Sequence, residues 1–396
     1  MRSLAALAAC LLLATACTGI RTAAPLQITS TPITPASTSP GNFDDVEIDQ
    51  ANHRLYAADR DRGIDVFDIS TPTAKFVQSI TLPSEPNGLA IAPDLGRLYA
   101  GTADGSVQVL DINPASPTAG KLLAAVQTGG KEADLLDYSA SRHELYASNG
   151  ADGTVAVIDA TKNTVTAKVK VGFALEQPRF NPADGMLYVT SPDADALVKI
   201  DLTTLKVKSK SSLGGCQPTG LAIDPRSNQA LIACTYSTVA WDLRSASGQN
   251  LTQAAGGDVI SYDARTDRFF VASPGRTSKG TVAIFGGNPI AFISSVVTGA
   301  GANAAAYDET NDLVYTTDFR PNQVGVVAFG IPDGAPTVSS LLSLAPLAAL
   351  LPVIVVVLFI VGRQADPIKR PEPIPTLAEA KRSRLDRKSA HDSGQA

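Results

Sequence analysis

The sequence is poor in the residues that build most metal and catalytic sites. It has three histidines, four cysteines and one tryptophan among 396 residues. No H-x-x-x-H motif or closely spaced Cys pair joins them, which excludes the common zinc signatures. A G-x-S-x-G nucleophile motif, a P-loop and a dinucleotide fingerprint after a strand are also missing. The sequence therefore predicts no catalytic triad, no metal site and no bound cofactor.

Charged residues are scarce as well, at 18% of the chain with a net charge of −5. Residues 362–396 hold eight basic and five acidic side chains, so the chain before them carries −8. Binding to phosphates requires a positive surface, which an acidic domain does not offer. The charge distribution therefore excludes nucleic acid as a partner.

One short pattern occurs seven times along the chain. It is clearest from Gly185, where the apolar triplet Leu187-Tyr188-Val189 is followed by an Asp-rich turn and an alternating run that ends at Asp201. Such a pattern predicts two short strands around a turn. The copies begin roughly 40 to 47 residues apart, which is the period of a propeller blade. Their leading apolar residues are Leu55, Leu98, Leu145, Leu187, Leu231, Phe270 and Val314.

These copies predict an all-β fold, a seven-bladed β-propeller of four-stranded antiparallel sheets over residues 42–332. The seventh copy stops at Gly330 without the fourth strand that other copies show. An open sheet edge invites association with other chains, so a propeller has to close its ring. The stretch 26–33, inside a Pro-, Ser- and Thr-rich linker at 17–41, alternates like a strand. We expect it to complete the seventh blade.

The copies, and Tyr188-Val189-Thr190-Ser191 in particular, resemble the YVTN repeat family of β-propellers from exported bacterial and archaeal surface proteins. The resemblance covers about 43–331. It implies the propeller fold, together with roles as a binding scaffold or adhesin. In related branches it implies lactone hydrolases or quinoprotein-type dehydrogenase subunits. Fold alone does not choose among these.

The first 16 residues predict an export signal. Arg2 supplies its charged end, residues 4–13 its short apolar core, and Ala14-Thr15-Ala16 a small-residue cleavage site. Cys17 follows directly and resembles the lipidated Cys of bacterial lipoproteins, although Ala14 stands where that motif usually carries Leu. Ordinary cleavage and lipidation at Cys17 both fit these residues.

A second membrane anchor is predicted at the other end. Residues 339–361 are uncharged and long enough to cross a bilayer as one helix. The basic tail at 362–396 predicts a cytoplasmic end, because basic residues beside a span stay in the cytoplasm. The expected protein is a single-pass cell-membrane protein, with its propeller outside and its tail inside. It would contact the membrane through the helix and, if Cys17 is acylated, through lipid.

Two cysteines remain in the folded part. Cys216 precedes the first strand of the fifth repeat and Cys234 ends its second strand. In an exported protein such a pair predicts a disulfide, while two buried, unpaired cysteines are the alternative.

The residues that begin the inner strands are expected to line one mouth of the central channel. We take these and the only inner-strand arginine as candidate ligand-binding residues: Asp44, Asn87, Asp134, Glu176, Arg179, Asp258 and Asn303. Converging carboxylates suit a cation or a polyhydroxylated ligand, and they could raise one another's pKa and supply a general base. Solvated loop acids around a water-filled channel are the alternative.

The sequence therefore favours a membrane-anchored, non-enzymatic binding or scaffold module for an extracytoplasmic protein or polymer. A propeller enzyme of lactonase or quinoprotein dehydrogenase-like type is the alternative. Lactone-hydrolysing relatives use a metal, or a His and an Arg near the mouth. Here Arg179 is the only inner-strand Arg and no His qualifies.

The tail is predicted to retain topology rather than to signal. Deleting 362–396 should leave the protein in the membrane fraction, because the apolar span at 339–361 remains. Immunoblotting of membrane and culture-fluid fractions measures this. Release of the truncated protein into the culture fluid would contradict the prediction.

Overall fold

The computed structural model describes residues 27–275 and 279–332, and these form seven four-stranded antiparallel sheets. Each sheet is one blade, and its four strands run in order from the channel outward. This confirms the predicted all-β seven-bladed propeller. A single turn of 3-10 helix, Gly150–Asp152, lies in the connection between the second and third strands of the third blade.

The first four blades use consecutive strands. Blade 1 contains β2 (Phe43–Asp49), β3 (Arg54–Asp59), β4 (Gly63–Asp68) and β5 (Lys75–Ile80). Blade 2 contains β6 (Pro86–Ala92), β7 (Arg97–Thr102), β8 (Ser106–Asp111) and β9 (Leu122–Gln127). Blade 3 contains β10 (Leu136–Ser139), β11 (Glu144–Asn149), β12 (Thr154–Asp159) and β13 (Thr164–Lys170). Blade 4 contains β14 (Pro178–Asn181), β15 (Met186–Ser191), β16 (Ala196–Asp201) and β17 (Lys206–Ser212).

The last three blades have the same arrangement, except that the outer strand of blade 7 comes from the N-terminal part of the chain. Blade 5 contains β18 (Pro218–Asp224), β19 (Gln229–Cys234), β20 (Thr238–Asp242) and β21 (Ser247–Leu251). Blade 6 contains β22 (Ile260–Asp263), β23 (Arg268–Ser273), β24 (Thr281–Gly286) and β25 (Ala291–Val297). Blade 7 contains β26 (Ala305–Asp308), β27 (Leu313–Asp318), β28 (Gly325–Gly330) and, as its outer strand, β1 (Ile28–Pro32).

The N-terminal strand closes the ring. β1 pairs antiparallel with β28, with Ile28 opposite Phe329 and Pro32 opposite Gly325. Directly after it, Ile33 is buried with 1% exposure and its amide donates to the carbonyl of Val324 at 2.9 Å. The first and last parts of the propeller are thus held together by one sheet.

The apolar alternation of the repeats buries side chains between neighbouring blades. There are seven apolar clusters, one at each blade-to-blade interface. Leu55 and Phe67 of blade 1, for example, pack with Val326 of blade 7. Fully burying one such side chain stabilises the fold by about 1.5–3 kcal/mol. The outer strands are largely exposed, because no further layer covers them.

The turn from the first to the second strand of every blade contains one residue with a left-handed backbone. Glycine fills this position in blades 2 and 4, and the others are polar residues: His53, Gly96, His143, Gly185, Asn228, Asp267 and Asp312. Short polar side chains tolerate this conformation better than branched apolar ones. Two of the three histidines are therefore turn residues.

The structure joins Cys216 to Cys234 by a disulfide, with the two Cα atoms 5.2 Å apart. Pro218, two residues after Cys216, pairs directly with Cys234, so the bridge ties the link before blade 5 to the end of β19.

The predicted export signal at 1–16, Cys17, the span at 339–361 and the tail at 362–396 all lie outside the described residues. Within the described residues, no helix has the length and apolarity required to cross a membrane.

Removing β1 should weaken the propeller. A variant that begins at Ile33 loses the ladder with β28 and exposes that strand's edge. We expect it to be less stable by about 2 kcal/mol, the net value of a few ladder hydrogen bonds after the entropy of ordering the strand. Thermal unfolding and light scattering measure the loss of stability and the association of exposed edges. The matched control begins at Ile28, and equal stability of the two variants would contradict this role for β1.

Candidate functional site

Five carboxylates and one guanidinium lie together at one mouth of the central channel. We call this group the mouth cluster; it consists of Asp44, Arg60, Glu132, Asp134, Glu176 and Asp258. The acids belong to the starts of inner strands or to the links that lead into them. Arg60 comes from the turn between β3 and β4, which reaches the same end of the propeller.

Close packing of the inner strands brings these acids together. The amide of Gly88 in β6 donates to the carbonyl of Asp134 at 3.2 Å. A Cβ at Gly88 would lie 2.6 Å from the Cα of Leu135, so only glycine allows this approach. Neighbouring blades therefore meet at backbone distance at the mouth, which leaves their acidic side chains crowded around the channel.

The crowding raises the pKa of the acids. Burial, followed by the charges of Asp258 and Asp44, raises the pKa of Glu176 to about 7. Burial and the charge of Asp44 raise the pKa of Asp258 to about 7. Burial and the charge of Glu176 hold the pKa of Asp134 well above its usual range. Carboxyls with such pKa values hold protons at neutral pH, so the mouth contains both carboxylic acids and carboxylates.

Arg60 supplies a positive charge inside this acidic group. Its Nη2 lies 3.5 Å from Asp44 Oδ2 and 3.9 Å from Glu132 Oε1, and it donates a hydrogen bond to Asn87 Oδ1. Its charge opposes the rise in the pKa of both Asp44 and Asp258. The Arg60 side chain is 32% exposed, so it is open to a ligand from solution.

Asn87 lies beside the mouth cluster but is completely buried. Its Nδ2 donates to Glu132 Oε1 at 3.0 Å and to the carbonyl of Ala133 at 3.1 Å. Because its oxygen also accepts from Arg60, Asn87 positions the charged groups and does not itself face a ligand.

Arg179 lies deeper in the channel. Its Nη1 donates to the carbonyl of Leu136 at 3.0 Å and lies 3.7 Å from Asp137 Oδ1. Its charge also lowers the pKa of Asp45 and Glu47, which burial nevertheless raises to about 6 and about 8. Arg179 therefore balances acids inside the channel, apart from the mouth cluster.

Buried polar side chains brace the inner strands at this depth. Gln177 accepts from the amides of Leu221 at 2.6 Å and Ile260 at 3.2 Å, and its Nε2 donates to the carbonyl of Ile260. Asp45 accepts from the amide of Leu89 at 2.9 Å. These bonds connect blade 4 to blades 5 and 6, and blade 1 to blade 2.

The structure thus brings together four of the predicted residues: Asp44, Asp134, Glu176 and Asp258. Asn303 instead joins blade 7 to blade 1, since its Nδ2 donates to the carbonyl of Phe43 at 2.7 Å. Sequence reasoning missed Arg60 and Glu132. Arg60 lies in the turn between the second and third strands of blade 1, and turns at this position reach the mouth. Glu132 lies two residues before Asp134 in the same link.

A cavity of about 630 Å³ opens beside Arg60 on the same face. Its polar wall includes Arg62, Ser84 and Glu85, and its apolar wall includes Leu82 and Pro86. In residues 27–275 and 279–332, no three His, Cys, Asp or Glu side chains form a group that could hold a metal ion. The mouth therefore offers acids, one guanidinium and an adjoining cleft.

The raised pKa values make the stability of the protein depend on pH. Glu176 binds a proton more tightly in the folded state than in the unfolded state, so its stabilising contribution is complete below about pH 4.5 and is lost as pH rises through about 7. Glu176→Gln removes this loss. We expect the variant to be more stable than the wild type by about 1–2 kcal/mol at pH 8, after allowance for partial solvent screening.

Urea unfolding at pH 5 and pH 8 measures this difference, which should be small at pH 5. Asp193→Asn, an exposed change in the same blade, is the matched control. If Glu176→Gln changed the free energy of unfolding equally at both pH values, the raised pKa of Glu176 would be contradicted.

Comparison with known proteins agrees with the fold. The family model described as "Lactonase, 7-bladed beta-propeller" matches residues 54–209. A search of curated proteins finds no match. Among solved structures, hydrazine synthase from Kuenenia stuttgartiensis aligns with a TM-score of 0.60 and 14% identity, covering 73% of this chain and 95% of that chain. This second likeness is one of fold alone, and the resemblance to YVTN repeats stays a prediction. Over residues 54–209, the chain is similar in sequence to the seven-bladed β-propeller lactonases.

Proposed function

We propose that this protein is an extracytoplasmic propeller hydrolase that opens a polar lactone at the mouth cluster. The observation that carries the proposal is the pair of carboxyls, Glu176 and Asp258, which have pKa values near 7. They belong to the same cluster as the guanidinium of Arg60, whose charge opposes the rise in the pKa of Asp258. The similarity to lactonase propellers over 54–209 supports it, since that stretch includes Arg60, Glu132 and Glu176.

Acid and base catalysis need groups whose pKa values lie near the working pH. At neutral pH one mouth carboxylate accepts a proton from water while a neighbouring carboxyl still holds one. The water oxygen then forms a bond to the lactone carbonyl carbon. The ring carbon–oxygen bond breaks, and the protonated carboxyl donates its proton to the ring oxygen. One water is consumed and the product is an open-chain hydroxy acid.

Arg60 suits the stabilisation of the charge that develops on the carbonyl oxygen. A fixed cation beside a developing oxyanion lowers the barrier most where water is partly excluded. The metal that some lactone-hydrolysing relatives use has no matching ligand group among the described residues. The steps above are therefore assigned to side chains only.

A polar substrate fits this site better than an alkyl one. The mouth cluster consists of ionisable groups, and the cleft beside it contains Arg62, Ser84 and Glu85. Burying a hydrocarbon chain against these groups would remove them from water without giving them hydrogen-bond partners. Hydroxyl groups on the substrate would supply such partners.

A binding or scaffold module for a protein or a cell-surface polymer is the second candidate. Exposed aromatic side chains on the mouth face favour it, since aromatic residues are enriched where proteins bind. Phe173 is 42% exposed in the link before blade 4, and Tyr236 is 70% exposed in the turn between β19 and β20. Under this candidate, the mouth acids bind a ligand without reaction.

Hydrolysis of gluconolactone by the purified full-length chain tests the first candidate. Glu176→Gln and Asp258→Asn should each lower kcat by about 10²–10⁴, the usual value of one acid or base. Arg60→Met should lower it by about 10²–10³, the usual value of one oxyanion-stabilising group. The wild-type profile of kcat/KM against pH should bend near 7, as the pKa values of Glu176 and Asp258 require.

The exposed change Asp193→Asn serves as the control and should leave kcat unchanged. The binding module would be favoured by two results together. The wild type would show no turnover, and lactone would raise its unfolding temperature but not that of Glu176→Gln. Turnover that survives all three mouth variants would contradict this site.

A further inference from the structure

A buried acid occupies an unusual position in blade 1. The third residue of the third strand points into the packing between blades, and it is ionisable in one blade of the seven. The seven residues at this position are Asp65, Gln108, Ala156, Val198, Ala240, Ala283 and Val327. Asp65 has no exposure to solvent. Burying a carboxyl costs several kcal/mol unless it has partners, so the partners of Asp65 indicate its role.

Asp65 shares its partners with a second buried acid. Asp59, 2% exposed at the end of β3, lies on the same face of the sheet. Arg62, in the turn between them, contacts both: its Nε lies 3.2 Å from Asp59 Oδ2, and its Nη2 lies 3.1 Å from Asp65 Oδ2. Ser79 in β5 donates a hydrogen bond to Asp65. One guanidinium therefore bridges two buried carboxyls.

Two carboxyls with one guanidinium hold an extra proton readily. Burial and the charge of Asp65 raise the pKa of Asp59 to about 7, and burial raises the pKa of Asp65 as well. The charged groups that act on the pair are Arg62 and Asp61, both in the turn. The elements packed on this face from blade 7 contribute apolar side chains, including Val324 and Val326.

The bridged turn is the one that carries Arg60 to the mouth cluster. The carboxylate of Asp59 accepts from the amide of Asp61 at 3.0 Å, and its carbonyl accepts from the amide of Arg62 at 3.1 Å. The amide of Arg60 donates to the carbonyl of Asn42 at 2.9 Å. The backbone on both sides of Arg60 is thus fixed, with Asp65 as the innermost support.

We infer that Asp65 is a positioning residue which, through Arg62 and Asp59, holds the turn that places Arg60 among the mouth acids. A turn without this support would let the Arg60 side chain leave Asp44 and Glu132 for solvent. The effect of Asp65 on the position of Arg60 is independent of the proposed function, whereas its effect on lactone hydrolysis rests on that function.

Blade 7 offers a matched control for this inference. Its equivalent turn also pairs an Asp with an Arg, since Arg320 Nε donates to Asp318 Oδ1 at 2.8 Å. There the position of Asp65 is taken by Val327, and Arg320 contacts Asp318 alone among the described acids. Asp318→Asn should therefore free Arg320 and leave Arg60 in place.

The test is the rate at which phenylglyoxal modifies individual arginines of the full-length native protein, read by peptide mass spectrometry. In Asp65→Asn we expect Arg60 to be modified about tenfold faster than in the wild type, because loss of a charged partner opens the turn more often. The rate at Arg320 should not change. Asp318→Asn should give the reverse pattern.

Ser79→Ala provides a milder variant that removes one hydrogen bond to Asp65 and keeps the acid. It should raise the rate at Arg60 by less than Asp65→Asn does. If Asp65→Asn fails to fold, as judged by near-ultraviolet circular dichroism, Ser79→Ala still decides the question. An unchanged rate at Arg60 in a folded variant would overturn the inference, whatever the protein's activity.

The pH profile gives a second readout that a purely structural role would not move. Arg60 lowers the pKa of Asp44 and Asp258, so its displacement should raise both. In Asp65→Asn the bend of kcat/KM should shift to higher pH while kcat falls. A loss of stability with an unshifted profile would show that Asp65 supports the fold only. Absence of hydrolysis in the wild type would remove this readout and leave the arginine measurement intact.

Discussion

Closure of the ring is the constraint on which the rest of the structure depends. Every blade buries its apolar residues against two neighbours, so no blade is complete until the seventh meets the first. β1 achieves this by adding a fourth strand to blade 7, and Ile33 then enters the cluster between blades 7 and 1. A closed ring also fixes the radius of the channel, and the inner strands therefore approach one another closely enough for the mouth acids to interact.

The electrostatics of the channel follow from this geometry. On an open surface, each of these carboxyls would ionise at its ordinary pKa. In the channel they lie close together and are partly shielded from water. Two arginines at different depths, Arg60 at the mouth and Arg179 below it, offset part of the repulsion and desolvation of these carboxylates. The rest is relieved by proton uptake, which is why Glu176 and Asp258 have pKa values near neutral. A site that holds protons at neutral pH is thus a consequence of closing the ring around acidic strand ends.

Periodicity made the fold predictable from the sequence. Apolar residues such as Leu98 and Leu145 recur at blade spacing, and a period of this kind has few structural solutions. The strand predicted at 26–33 could be assigned because blade 7 lacked a fourth strand. Four of the six residues of the mouth cluster were predictable for the same reason, since acids that begin inner strands must face the channel. Arg60 was not, because a turn residue's reach depends on contacts such as those of Asp59 and Arg62, which sequence spacing does not show. The depth of Arg179 was not predictable either, because the depth of a side chain depends on the register of its strand.

The antiparallel closure by β1 has a mechanical consequence. Ile28 lies opposite Phe329, so the chain enters and leaves the propeller side by side, at the end opposite the mouth cluster. A force that draws these two points apart would peel β1 from β28 one residue pair at a time, instead of loading all the pairs at once in shear. The closure of the ring is therefore weak against tension that draws its two chain ends apart.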